Sequence, residues 1–144
     1  MAGATKGRVA HSKLVLSASQ ALRVRNVGTA TNYTATVAAG TYFNRADLSG
    51  LGSAGQLDAL YVLATALNAS GSGLTWTVTM VHTDGTTQGK SVITASAACS
   101  LLWTDAITTM DGAGNFGEFL GFDTSADDTG ASAYTSDNQA VGLW

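Results

Sequence analysis

Leu74–Thr83 reads LTWTVTMVHT, and its alternation sets the fold class. Leu74, Trp76, Val78, Met80 and His82 fall on one face of an extended chain, with Thr75, Thr77, Thr79, Val81 and Thr83 on the other. That is the two-residue period of a half-buried strand. Asp84–Lys90, DGTTQGK, supplies turn chemistry, and Lys90–Ser96, KSVITAS, brings the chain back antiparallel. Ala98–Trp103, ACSLLW, reads as a third short strand of the same meander.

Upstream, Ala21–Thr29, ALRVRNVGT, sets Leu22, Val24 and Asn26 against Arg23, Arg25 and Val27, a strand with one charged face. Asn32–Phe43, NYTATVAAGTYF, continues in the same style, with Tyr33, Ala35 and Val37 opposite Thr34 and Thr36. The two are expected to pair antiparallel through a turn near Gly28–Asn32. Between these strands and the meander lies Ser53–Ser70, SAGQLDALYVLATALNAS, where Leu57, Leu60, Tyr61, Ala64 and Leu67 recur at helical steps. Ser53 and Gln56 fit a capping box and the following Asn-Ala-Ser-Gly a stop, predicting a helix of about four turns over roughly residues 54–69. The expected fold class is α+β: an antiparallel β-sandwich or meander with that one helix packed on a sheet. Residues 1–20 read as a basic N-terminal arm ordered by contacts, with a short strand at Lys13–Ser17. Residues 21–122 form a single domain, and 123–144 a C-terminal extension.

Length and composition narrow the function. A chain of 144 residues is long enough for one real core. Its lone cysteine, Cys99, provides neither a disulfide framework nor a zinc cluster and reads as a small buried residue. Charged residues are 12% of the chain against roughly 25% in an average soluble domain, which implies a surface covered by neighbours in an assembly. The charges are sorted: Lys6, Arg8, Lys13, Arg23, Arg25 and Arg45 precede every acid, and the ten acids share the rest of the chain with Lys90 alone. Opposite patches on one molecule favour head-to-tail contacts between copies. The basic residues are too sparse, and too poor in interleaved aromatics, for specific nucleic-acid binding. Leu14-Val15-Leu16 is shorter than the apolar core of a signal peptide, and no run reaches the roughly 18 apolar residues of a membrane span.

No motif carries chemistry. Gly112–Gly117, GAGNFG, matches the dinucleotide pattern but lacks the βαβ unit that would give it meaning, so it reads as a flexible loop. His11 and His82 have no ligand partners at metal spacing. Asp123, Asp127 and Asp128 do not follow the calcium-loop pattern and read as a solvated acidic turn. No catalytic, cofactor-binding or metal residues are assigned. In Glu118–Phe122, EFLGF, Gly121 suits a sharp bend. Leu120 and Phe122 are expected to close the core against Leu60 and Leu67, with a plug into a neighbouring subunit as the other reading.

The order GTYF, LDALYVLATALNASGSGLTWTV, a GK-SVITAS hairpin, SLLW and then EFLGF resembles a domain pattern of tailed-bacteriophage virion proteins, over roughly Thr41 to Phe122. The resemblance implies a non-enzymatic structural protein, made in the host cytoplasm and placed in the virion, in the tail or baseplate rather than the shell. Its expected partners are copies of itself, as a homo-oligomer, and other virion proteins. Arg8, Lys13, Arg23, Arg25, Tyr134 and Trp144 are the candidate subunit contacts, and Leu60, Leu67, Trp76, Leu120 and Phe122 the candidate core signature. Two alternatives stay open: a capsid decoration protein, and a small carbohydrate-binding β-rich module stacking sugars on Trp76, Trp103 or Trp144.

Overall fold

The computed structural model describes residues 13–43, 59–81 and 89–140. Its strands are β1 (Lys13–Leu16), β2 (Gln20–Asn26), β3 (Thr31–Val37), β4 (Gly40–Phe43), β5 (Trp76–Met80), β6 (Lys90–Leu102) and β7 (Asp128–Gln139). Helix α1 is Ala59–Asn68, and α2 is the single turn Phe116–Phe119.

The expected α+β class with a four-turn helix is overturned. Of the described residues 49% lie in strands and 13% in helices, so the fold is mostly β. The described part of α1 has 10 residues, less than three turns. The capping pair Ser53 and Gln56 lies outside the described residues. The apolar face of α1 is also rotated from the expected one: Leu60 and Leu67 are buried, but with Ala59, Leu63 and Ala66, while Tyr61 and Ala64 are only half-buried.

Two sheets form. β1 and β4 make an antiparallel ribbon, from Lys13 opposite Phe43 to Leu16 opposite Gly40, so residues 13–16 of the expected arm belong to the fold. The larger sheet runs β3-β2-β6-β5, with β7 also on β6. The β2–β3 hairpin pairs Gln20 with Val37 through Asn26 with Thr31 around the turn foreseen near Gly28. Its inward row is the alternating one, Leu22, Val24 and Asn26. Asn26 is tolerated inside because its Nδ2 donates to the Ser72 carbonyl at 2.8 Å.

KSVITAS and ACSLLW are one strand, not two. β6 pairs its first half with β5 (Trp76 opposite Ala95, Met80 opposite Ser91) and its second half with β2 (Asn26 opposite Cys99, Arg23 opposite Leu102). Ser96, Ala97 and Ala98, exposed between the two pairings, are the residues whose small side chains look like a break in the sequence. β7 runs along β6 opposite both partners, with register shifts. The expected C-terminal extension thus contributes a strand, β7, to the main sheet.

One cluster joins Leu60, Leu63, Leu67, Trp76, Ile93, Leu101, Trp103, Phe116, Leu120 and Phe122 among others. Asn68 links helix to sheet: its Oδ1 accepts the Trp76 N–H at 2.9 Å, and its Nδ2 donates to the carbonyls of Ala64 and Trp76. The side chain that ends α1 therefore starts β5, which is why the chain can turn from helix to strand across so short a linker.

Candidate functional site

The segment from Thr108 to Ser125, which includes α2, is tied to the start of β2 by hydrogen bonds. Thr109 and Met110 N–H groups donate to the Ala21 carbonyl, and the Ala21 and Arg23 N–H groups donate to Thr109 Oγ1 and Thr108 Oγ1. Gln20 opens β2 and holds the loop with both ends of its amide: Nε2 donates to Asn115 Oδ1 at 2.8 Å, and Oε1 accepts the Phe116 N–H at 3.0 Å. Gly117 has a packing reason, since a Cβ there would lie 2.7 Å from Trp103 Cζ3 and 2.8 Å from Thr124 Cγ2. This glycine serves close approach of backbone to an indole.

EFLGF closes on β7. Gly121 sits at φ +99°, and a Cβ on it would fall on the Asn138 carbonyl. The Gly121 carbonyl accepts the Asn138 N–H at 2.9 Å, and Asp137 Oδ2 accepts the Asp123 N–H at 2.8 Å. Leu120 and Phe122 are buried, and the Phe122 ring lies 5.4 Å from that of Trp103. Leu120 and Phe122 share a cluster with Leu60 and Leu67, and the Phe122 ring also packs on Trp103, the residue after β6.

This docking gathers carboxylates that are far apart in sequence. Asp111, Glu118, Asp123 and Asp137 line a cleft of about 550 Å³ together with Phe122 and Asn138. Glu118 Oε1 accepts the Gly114 N–H. Two hydrogen bonds from Ser125 hold the exposed Asp123 carboxyl below its ordinary range. Asp128 behaves oppositely. Burial pushes its pKa up, Trp103 Nε1 donating at 2.9 Å opposes this, and the charges of Asp137, Asp123 and Asp127 push it further up. The solvated turn expected at Asp123–Asp128 is thus part of a larger acidic surface. The convergence of Asp111, Glu118 and Asp137 on it has no local signature, because it is β7 that carries Asp137 back beside Asp123. Among the described residues no group of three His, Cys, Asp or Glu side chains is arranged to hold a metal.

The basic candidates lie elsewhere. Lys13 is exposed at the start of β1. Arg23 and Arg25 share the outward face of β2, where Arg23 Nη1 donates to Thr34 Oγ1 at 2.8 Å and Arg25 Nη1 to Asn32 Oδ1 at 2.9 Å. Arg8 and Trp144 lie outside the described residues. Tyr134, expected to anchor on a neighbour, is engaged within the chain: its hydroxyl donates to the Cys99 carbonyl at 2.6 Å and accepts the Ala131 N–H. Burial raises its pKa. Trp76 is 2% and Trp103 0% exposed, so neither can stack a sugar. Their N–H groups are spent on Ser72 Oγ and Asp128 Oδ2.

Among the described residues no helix is long and apolar enough to cross a membrane. No protein-family model matches the chain, and no curated protein matches it either. The fold and surface together define a small, mostly-β domain with an acidic cleft and a separate arginine-bearing sheet face.

Proposed function

We propose that this chain is a non-enzymatic structural protein of a bacteriophage virion, tail-associated, which works by associating with its own copies and docking to neighbouring virion proteins. The resemblance over Thr41–Phe122 supplies the virion and the tail. The observation that carries the mode of action is the segregation of charge on a surface otherwise made of small polar residues. Arginines on β2 have neutral partners, while four carboxylates line one cleft. β7 adds an edge strand exposed along nearly its whole length, with Thr129, Ala131, Ser132, Ala133 and Thr135 facing water. A sparsely charged exterior of this kind is the composition expected of a surface that neighbours cover.

Electron microscopy of the concentrated protein tests the reading. Rings or stacks of uniform diameter are expected, and uniform single particles of monomer size at every concentration would oppose it.

A further inference from the structure

Arg23 and Arg25 stand on one face of β2, about 7 Å apart along the strand, because same-face residues are separated by two strand rises. Each guanidinium has five N–H donors, and among the described residues the partners of both are neutral oxygens on β3. The Nε of Arg23 is shielded from water and has no acceptor among the described residues. Val27, immediately beyond them at the hairpin tip, is 45% exposed. The face thus presents two cations beside an apolar residue.

The acidic cleft is its complement. Asp137 accepts from the Asp123 N–H, Glu118 from the Gly114 N–H, and Asp123 from Ser125. These bonds fix the carboxylates in place without cancelling their charge. Gln20 ties the loop bearing the cleft to the first residue of the strand that carries Arg23 and Arg25 further along. The two surfaces are therefore held at a fixed separation on one molecule.

The geometry points to a head-to-tail contact in which the Arg23/Arg25 face of one copy sits on the Asp111/Glu118/Asp123/Asp137 cleft of the next. This rests on the self-association reading above and assigns it a pair of surfaces. A planar guanidinium pairs two-pronged with a carboxylate, so the contact would use donors that β3 leaves unoccupied. Because the two surfaces differ, the contact is heterologous and repeats into a ring or a stack. The net charge of −3 disfavours a polyanion as the partner of the arginines, whereas a second copy brings its carboxylates in a shaped cleft.

Two full-chain variants test the pairing by sedimentation: Arg23→Glu with Arg25→Glu, and Asp111→Lys with Glu118→Lys and Asp123→Lys, which leaves Asp137 as the cleft's remaining acid. Each alone should need at least about tenfold more protein than the parent to assemble, since like charges then face each other. An equimolar mixture should assemble again, because every junction in an alternating chain regains opposite charges. Circular-dichroism melts establish that both are folded. Should loss of the Arg23–Thr34 bond unfold the first, Arg25→Glu alone replaces it, since it already leaves the β2 face without net positive charge. Either folded variant assembling like the parent, or a folded mixture failing to reassemble, overturns this contact while leaving self-association standing. A monomeric parent instead removes the reading on which the contact rests. Binding of a 20-base-pair DNA duplex by a monomeric parent, lost in the arginine variant, overturns it in favour of a nucleic-acid face.

Discussion

Replacing Gly121 with Ala separates two costs that the structure places at one residue. The first is conformational: at φ +99° an L side chain adds about 1–2 kcal/mol. The second is steric. The new methyl would meet the Asn138 carbonyl and Ser136 Oγ, so the end of β7 must move, at about the 1–3 kcal/mol typical of overpacking. Together these give a loss of about 2–5 kcal/mol, or about 6–15 °C in Tm for a domain of this size. Gly130→Ala is the internal control. Gly130 has φ +90° but nothing within 4 Å of its would-be Cβ, so it carries the conformational cost alone, about 3–6 °C. The assay is a pair of thermal melts, with amide exchange followed at residues 135–139. Gly121→Ala should melt below Gly130→Ala and lose protection at the end of β7. If the two variants melt together, the EFLGF turn is not seated on β7, and the closure of the acidic cleft described above is wrong.

Phe122→Ala removes a buried ring packed on Trp103 and should cost about 3–5 kcal/mol, read from denaturant melts; a parent-like midpoint would place that ring outside the core. Asp128 has a raised pKa in the folded state, so its native carboxyl holds a proton more tightly than the unfolded one, and stability should fall as pH rises from the ordinary carboxylate range through that raised value. Asp128→Asn keeps an acceptor for Trp103 and should flatten this dependence, while Asp128→Ala leaves the indole N–H unpaired and should be about 1–3 kcal/mol less stable than Asp128→Asn at neutral pH. Burial pushes the Cys99 thiol up to about 11, so a thiol reagent at pH 8 should label it only after denaturation; fast labelling of folded protein would contradict its burial.

What the sequence made legible was what a period records. Leu22, Val24 and Asn26, and Trp76, Val78 and Met80, alternate because one side of each strand is buried, and both rows are buried in the structure. β7 leaves no such mark: as an exposed edge strand it buries only Ser136, so Asp128–Gln139 looks like a polar tail. The direction of Tyr134 was hidden for the same reason, since nothing local says its hydroxyl returns to Cys99. Leu63 and Ala66 replaced Tyr61 and Ala64 on the buried face of α1 because the sheet decides which stripe of a broadly apolar helix it takes. The basic half of the site was visible as Arg23 and Arg25 on one strand face. The acidic half was not, because it depends on β7 and the Gly121 turn bringing Asp111, Glu118, Asp123 and Asp137 together.

The proposed working mode of the molecule is association with its own copies through charged surfaces. Sedimentation velocity of the full chain, over a concentration series at 20 mM and 500 mM salt, tests it most directly. Species larger than the monomer should grow with concentration at low salt and dissociate at high salt, where the screening length falls to a few ångströms. A single monomeric boundary at every concentration and both salt levels would contradict it.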